Sequence, residues 1–359
     1  MIPRSRLALA VLLAVAPIAA WLAFARLRPP RESVPVSSAV PARPLAALTE
    51  ASGWLPRALP VESLGGHVVV LVVWSDTEPL SLRLLREADS WQQAYGRFGL
   101  RVVGVHEPEF AFSADSTIPA RALRRLGVGL PVALDAGSRV ASRLGVGDRL
   151  PLWIVVDAAG RGVTSVAGDR AAEALLATIG ALRRTPRGAG LEPPPSPSEA
   201  AAAPLSPRRV YCGVSRATAG PLANATPGAT QMFTAQFRYQ EQGDAYTPYP
   251  VGRWTPSADG VTSARGGAAD FLSIRYDGGR VDAVLGAAET ERVWVMCDDG
   301  WLPEAERGED VRVDARGATF VEVDEPRPYA ITRGGAAHVL RLSPAAPGVT
   351  YYAFSFGAE

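Results

Sequence analysis

The sequence predicts an α/β domain, a mixed central sheet with helices on both faces, followed by an all-β sandwich. Two observations predict this order. Between residues 52 and 184, apolar strand-like runs alternate with segments of helical periodicity. From 210 to 359, short alternating runs follow one another, most of them separated by Gly, Pro, Asp or Asn. A Pro-rich connector over 185–209 separates the two parts, and 359 residues suffice for both domains.

The first domain is predicted to begin with a strand, a helix and a second strand. Residues 67–74 form a continuous apolar run, which is typical of a strand covered on both faces. Pro79 suits the first turn of a helix, and apolar side chains then recur at helical spacing until Gly99. Residues 100–105 form the next strand. This order favours a right-handed parallel crossover.

The remaining elements of both domains follow from the same patterns. In the first domain we expect helices over 117–126, 138–144 and 170–182, a strand over 131–134, and a hairpin of 152–156 with 162–166. In the second domain we expect strands over 231–239, 271–276, 280–285, 292–297, 318–323, 338–342 and 350–356.

The N-terminus predicts entry into a membrane. Two arginines lie within residues 1–6, and 7–25 is an apolar run about as long as a helix needs to cross a hydrocarbon core of roughly 30 Å. The run is a transmembrane anchor or a cleaved signal peptide, and Arg26 and Arg28 favour the retained anchor. The Pro-, Ser- and Ala-rich stretch 26–51 is predicted to be a stalk. The rest of the chain is then extracytoplasmic, in a bacterial periplasm or at a cell surface.

Overall charge and sulfur content limit the possible chemistry. The formal net charge of +1 gives no electrostatic reason to expect nucleic acid as a partner. Cys212 and Cys297 are the only cysteines, and each shares a strand face with valines, so each sulfur should point inward. An oxidising compartment would allow a disulfide between them, and two free buried thiols are the alternative.

Three strings of residues resemble a known family. Gly-Val-His-Glu-Pro-Glu-Phe-Ala-Phe at 104–112, together with 130–135 and 150–157, resembles the periplasmic thioredoxin-like region (TlpA/redoxin type) of the DipZ family of cytochrome c biogenesis proteins. Residues 207–217 and 348–357 resemble that family's C-terminal sandwich, which is similar to carbohydrate-binding modules. The resemblance implies a thioredoxin-like fold for residues 52–184.

The resemblance also implies thiol–disulfide oxidoreductase activity, but the sequence departs from the family at the decisive positions. Glu78 and Ser81 stand where the family has its Cys-X-X-Cys, and we expect no counterpart of the family's polytopic membrane domain. Disulfide exchange requires a thiolate. We therefore expect a binding or accessory protein, with Glu78 serving as a charge at a helix N-terminus. A displaced redox centre at Cys212 and Cys297 is the enzymatic alternative.

Binding candidates follow from the same comparison. Trp74, His106, Glu109 and Pro151 are candidates for a polypeptide groove, and Pro151 matches the proline that is cis in thioredoxin-like folds. A cell-envelope glycan is the other possible partner, and its stacking surface would be formed by Trp254, Trp301 and Tyr249. No cofactor is expected, and the three histidines lack metal-ligand spacing, which predicts no metal site.

Overall fold

A computed structural model describes residues 40–147, 149–192, 208–234, 244–336 and 338–357. The predicted membrane segment, the stalk up to residue 39 and residues 193–207 of the predicted connector lie outside these described residues. Among the described helices, none combines the length and the apolar character that crossing a membrane requires.

A six-stranded mixed sheet forms the centre of the first domain, as predicted. Its strands are β1 (Gly53–Leu55), β2 (Val68–Trp74), β3 (Leu100–His106), β4 (Val132–Leu134), β5 (Leu152–Val156) and β6 (Gly162–Ala167). They lie in the order β1-β4-β3-β2-β5-β6. Strands β2, β3 and β4 are parallel, and β1, β5 and β6 pair with their neighbours in antiparallel fashion.

Four helices flank this sheet: α1 (Pro79–Tyr95), α2 (Thr117–Leu126), α3 (Arg139–Leu144) and α4 (Ala171–Arg183). Alternate residues of β2 face two separate apolar cores. Helices α1, α2 and α4 contribute to one core, where Trp91 stacks on Trp153 at 4.6 Å, and α3 contributes to the other. The sheet is therefore covered on both faces, as the apolar run of β2 predicted.

Part of the range predicted as a stalk has a different role. Pro44–Glu50 forms a 3-10 helix, and its Ala47 and Leu48 are buried in the core on the α3 side of the sheet. A solvated spacer would not bury these side chains. The sequence prediction missed this because Pro, Ala and Leu occur both in linkers and in short buried turns.

The second domain is all-β within the described residues, apart from short 3-10 turns. Its strands are β7 (Arg208–Tyr211), β8 (Gln231–Phe233), β9 (Tyr249–Pro256), β10 (Val261–Ser263), β11 (Phe271–Tyr276), β12 (Arg280–Gly286), β13 (Glu291–Cys297), β14 (Gly300–Trp301), β15 (Arg312–Val313), β16 (Thr319–Val323), β17 (Arg327–Arg333), β18 (His338–Pro344) and β19 (Thr350–Gly357). All pairings between these strands are antiparallel.

The second domain has two arms that meet at β9: the strands β15-β16-β13-β18-β11 lie on one side of β9, and the strands β10-β19-β12-β17 lie on the other. Its first residues pair with β11, and its last residues pair with β8 and β10. The change of partner occurs at Gly252, which has φ 95°, and a Cβ there would lie 2.1 Å from Oδ1 of Asp270. Only glycine fits that approach. One apolar core is formed by residues of both arms, in keeping with a sandwich.

Residues 107–116, which we call the docking loop, join the two domains. This loop follows β3 and carries Phe110 and Phe112, which pack against Tyr352 of β19 at ring-centroid distances of 5.2 and 4.8 Å. Phe110 also forms an apolar cluster with Val284 and Ala353. From Val40 onward the chain forms one compact unit. The unusual string at 104–112 therefore contributes the aromatic residues that bind the second domain.

Candidate functional site

The candidate site is the mouth loop, residues 75–78, between the carboxyl end of β2 and the first turn of α1. Ser75, Asp76, Thr77 and Glu78 are all buried. In this position a helix N-terminus presents unpaired backbone N–H groups and a partial positive charge. Because the loop is buried, each of its polar side chains needs a partner inside the protein.

Glu78 is the N-cap of α1, and its carboxylate accepts a hydrogen bond from the backbone N–H of Ser81. Burial raises the pKa of Glu78, whereas the positive charge of Arg209 and hydrogen bonds from Ser81 and Leu80 act in the opposite direction. The predicted helix-terminal role of Glu78 thus has a direct geometric basis. The side chains of Asp76 and Thr77, the two residues before Glu78, have other partners.

Asp76 forms a buried hydrogen-bonded group with two residues of the first domain. Its Oδ1 lies 2.6 Å from Nε2 of His106, and its Oδ2 accepts from the hydroxyl of Ser113 at 3.0 Å. Both Asp76 and His106 are 2% exposed. The ring of His106 also packs edge-on against Trp74 at 4.9 Å. These contacts fix the mouth loop to the end of β3 and to the docking loop.

Thr77 connects the mouth loop to the second domain through Glu109. The Thr77 hydroxyl donates to Oε2 of Glu109 at 2.6 Å. Oε1 of the same carboxylate accepts from Tyr211 Oη at 2.8 Å and from Nε of Arg209 at 3.2 Å, and Nη2 of Arg209 binds Oε2. Arg209 and Tyr211 belong to β7, the first strand of the second domain.

This Glu109 carboxylate is a charged anchor between the domains. The side chains of Glu109 and Arg209 are only 10% and 13% exposed. Burial alone would raise the pKa of Glu109, but the Arg209 charge and the hydrogen bonds from Arg209, Thr77 and Tyr211 together hold this pKa below its ordinary value. Arg209 also donates to Ser355 of β19 at 2.6 Å. The second domain therefore covers the mouth loop.

Three of the predicted groove residues meet at the same end of the sheet. Trp74 lies opposite His106 in the β2–β3 register, and Pro151 directly precedes Leu152, which lies opposite Val73. The bond between Leu150 and Pro151 is cis, as the resemblance implied. All three predicted residues are buried, so they do not form an open groove.

A cleft of about 440 Å³ opens beside this end of the sheet. Its walls come from β1, from the end of β4 and from the docking loop. They include Trp54, His106, Pro108, Ser116 and Leu134. Of the four predicted groove residues, His106 alone contributes to this cleft. Strand β1 is the last strand on this side of the described sheet.

Cys212 and Cys297 are free and buried, which matches the alternative of two free buried thiols and not that of a disulfide. Burial raises the pKa of both thiols, that of Cys297 to about 12. A catalytic thiol needs exposure and a stabilised thiolate, and neither cysteine has these properties. The alternative of a displaced redox centre loses its structural basis.

Of the three residues predicted to form a glycan-stacking surface, one lies in the core and two are at least partly exposed. Trp254 is a core residue: it is fully buried, donates from Nε1 to the carbonyl of Val251 and packs edge-on against Tyr351. Trp301 is 44% exposed, and Tyr249 is half-buried. The prediction failed for Trp254 because alternation in a strand does not tell which face is inward.

The mouth loop carries carboxylates and caps the N-terminus of α1 through Glu78, but it contains no cysteine. The residues that sequence reasoning missed as a group are Arg209 and Tyr211. No local motif marks them, because their partner Glu109 lies 100 and 102 residues away in the chain. The position of Arg209 at the very end of the predicted Pro-rich connector was the one available signal of an interface.

Comparison with known proteins supports the sequence resemblance. The chain is 28% identical over 317 residues to the protein DipZ of Mycobacterium bovis and to that of Mycobacterium tuberculosis. The resemblance to DipZ is confirmed. The aligned region is 85% of this chain and 42% of DipZ, so this chain spans less than half the length of DipZ. Residues 208–357 match the family described as a thioredoxin-like C-terminal domain. The matched range includes β7 with Arg209 and Tyr211.

Solved structures give weaker similarities. A thiol-disulfide isomerase from Corynebacterium glutamicum is 22% identical, with a TM-score of 0.32, covering 38% of this chain and 94% of the isomerase. A secreted disulfide oxidoreductase of Mycobacterium tuberculosis is 18% identical, with a TM-score of 0.30, covering 34% and 86% of the respective chains.

Proposed function

We propose that this chain is a non-catalytic, thioredoxin-like accessory protein of an extracytoplasmic thiol–disulfide or cytochrome c biogenesis pathway, tethered by residues 1–25. One observation carries the proposal. Glu78 caps α1 where the related oxidoreductases would place a reactive thiol, and the second domain covers that place through Glu109 and Arg209. Similarity to DipZ supplies the pathway.

Chemistry supports a binding role over turnover. Disulfide exchange proceeds by attack of an exposed thiolate, followed by a second thiol that resolves the mixed disulfide. Residues 75–81 contain no cysteine, and the two cysteines of the chain are buried in the second domain. The polar side chains of the mouth loop already have hydrogen-bond partners inside the protein. We therefore infer that the fold serves to position binding surfaces elsewhere on the protein.

The surface best suited to a partner is the cleft beside β1. It combines apolar and polar side chains, among them Trp54 and Ser116, and it borders the outer edge of a sheet. An extended polypeptide can add to such an edge through backbone hydrogen bonds and can place side chains in the neighbouring cleft. The proposed partner is therefore a polypeptide of the same pathway.

A redox assay tests the non-catalytic part of the proposal. We expect the purified full chain to reduce insulin disulfides, with dithiothreitol as electron donor, no faster than dithiothreitol alone, while an active thioredoxin accelerates the reaction in parallel. Turnover by the wild-type chain that disappears in a Cys212→Ser, Cys297→Ser variant would overturn the proposal. Circular dichroism of that variant checks that it is folded.

Site-specific photo-crosslinking in the native cells tests the polypeptide partner. A photoreactive amino acid at Ser116, on the exposed rim of the cleft, is expected to capture a polypeptide of the thiol–disulfide or cytochrome maturation machinery. The matched control is Arg97, which is exposed at the opposite end of the sheet, before β3 begins. Identical products from both positions, or none from Ser116, would contradict this binding surface.

A further inference from the structure

One end of the second domain brings together three side chains from separate segments. Cys297 is the last residue of β13, His338 is the first residue of β18, and Glu306 ends a 3-10 turn that lies between β14 and β15. Cys297 lies opposite Leu340, so His338, two residues earlier, projects to the same inner side of the strands. The sulfur, a ring nitrogen and a carboxylate oxygen all lie within 4.8 Å of one another.

One ring nitrogen of His338 has a hydrogen-bond partner among the described residues, and the other has none. Nδ1 lies 2.6 Å from Oδ2 of Asp298, a carboxylate oxygen that can only accept, so Nδ1 carries a proton. Nε2 and Oε2 of Glu306 approach to 3.2 Å, but they are not in hydrogen-bond geometry. Both atoms are buried, and neither has a hydrogen-bond partner among the described residues.

In the neutral ring this arrangement places a nitrogen lone pair against a carboxylate oxygen. Two acceptors repel each other unless a positive charge lies between them, and that charge is either a second proton on the ring or a metal ion. The nearby sulfur of Cys297 favours the metal ion. A metal ion would bind all three groups, whereas a proton shared by histidine and glutamate would not involve the thiol.

The surroundings hold the three groups in place. The Asp298 carboxylate that binds Nδ1 of His338 is itself fixed by the backbone N–H of Val339 at 2.8 Å. A histidine ligand commonly donates its second N–H to a carboxylate in this way. Arg333 of β17 donates to the carbonyl of Ala305, beside Glu306, at 2.9 Å. At Gly335, which has φ 119°, a Cβ would lie 2.8 Å from the Glu306 carboxyl carbon, so a larger residue there would displace this carboxylate.

We propose that Cys297, His338 and Glu306 bind one zinc ion. Zinc accepts thiolate, imidazole and carboxylate ligands at about 2.0–2.3 Å in tetrahedral geometry, which places ligand atoms roughly 3.3–3.8 Å apart. The three atoms lie within 4.8 Å of one another, which exceeds the upper of these values by roughly 1 Å at most. Calcium and magnesium are disfavoured, because both ions select oxygen ligands. The fourth zinc ligand is water or a partner group.

Such a site would connect the two arms of the second domain at one end. Cys297 and His338 come from neighbouring strands of one arm, while the turn that carries Glu306 is joined to β17 of the other arm by a backbone bridge between Arg307 and Thr332. No sequence motif predicts this cluster. Its ligands are separated by 9 and 32 residues, which matches no short zinc motif.

The experiment uses the purified full chain, stripped with a chelator and then titrated with zinc against a chromophoric competitor. We expect one zinc ion per chain by elemental analysis and a higher melting temperature when zinc is present, because binding to the folded state stabilises it. Cobalt in place of zinc is expected to give the near-ultraviolet absorption of a thiolate–cobalt bond.

Variants separate this site from adventitious binding. Cys297→Ser and His338→Gln are expected to weaken zinc binding at least tenfold, and Cys297→Ser should abolish the thiolate–cobalt band. Cys212→Ser and His67→Gln, which change the other buried thiol and a histidine outside the cluster, should bind as the wild type does. Circular dichroism confirms that each variant is folded. Absence of stoichiometric zinc in the wild type, or equal binding by Cys297→Ser, would overturn the proposal, as would binding of copper without zinc.

Discussion

Replacing Glu109 by glutamine is expected to lower the free energy of unfolding by about 3–5 kcal/mol, the range found when one partner of a buried ion pair is removed. The variant removes the carboxylate that is hydrogen-bonded to the buried Arg209 and weakens the acceptor for Thr77 and Tyr211. Urea unfolding of the full chain, followed by tryptophan fluorescence and circular dichroism, measures the loss.

Glu325→Gln is the matched control for this variant. Glu325 also pairs with arginines of the first domain, Arg121 and Arg125, but these arginines are 42% and 37% exposed. An exposed pair contributes about 0–1 kcal/mol, so the same substitution should have a small effect there. If Glu109→Gln cost no more than Glu325→Gln, the carboxylate would not be the anchor between the domains.

The difference in unfolding free energy between the wild type and Glu109→Gln should also depend on pH. The pKa of Glu109 is lowered in the folded chain from its ordinary value of 4.5. An acid with a lowered folded pKa contributes stability that is fully present above 4.5 and is lost as the pH falls through the folded pKa. The difference in unfolding free energy should therefore stay constant from neutral pH to about 4.5 and shrink below it.

Replacing Asp76 by alanine is expected to lower the free energy of unfolding by about 2–6 kcal/mol, because an unsatisfied buried polar group costs about 1–3 kcal/mol and two groups lose their partner. Nε2 of His106 and the hydroxyl of Ser113 both depend on this carboxylate. Denaturant unfolding gives the magnitude, and hydrogen exchange of the amides around the mouth loop gives the location of the change.

Two companion variants make the Asp76 result interpretable. Ser113→Ala removes one hydroxyl and leaves no group unpaired except one oxygen of Asp76, so its loss should be near 1 kcal/mol. Asp76→Asn keeps an acceptor oxygen and should lose less than Asp76→Ala. If all three variants were as stable as the wild type, the buried hydrogen-bonded group would have no part in fixing the mouth loop.

Local signals in the sequence were sufficient for the centre of the first domain. The apolar run before Trp74 and the proline at 79 predicted β2 and the start of α1, and residues 117–126 form the predicted helix without a change of bounds. These elements are defined by neighbours within a few residues along the chain. Their signals are therefore visible without knowledge of the fold.

Strands that depend on distant partners were missed. β9 contains Pro250, Pro256 and Gly252, and β17 contains Pro328 directly after Arg327, so neither resembles an ordinary strand. Gly252 is needed where β9 changes its pairing partner, a requirement that only the assembled domain creates. For the candidate site the same limit applies, since Asp76 and His106 are 30 residues apart and Glu109 and Arg209 are 100 apart.

The string at 104–112 shows how a recognisable motif can have a different role from the expected one. Its resemblance to DipZ suggested the lining of a groove. In the structure, its Phe110 and Glu109 bind the second domain, whereas His106 and Pro108 line the cleft. The residue types are suited to this role, because two aromatic rings and one buried carboxylate provide both area and specificity at a small interface.

The docking loop has a consequence for how this protein melts. Since Phe110 and Phe112 leave the first sheet and insert beside Tyr352, loss of either domain exposes apolar surface belonging to the other. Neither half keeps its full stability once its neighbour has opened. The described residues between 40 and 357 should consequently unfold on heating in a single cooperative transition, even though they form two sheets with separate apolar cores.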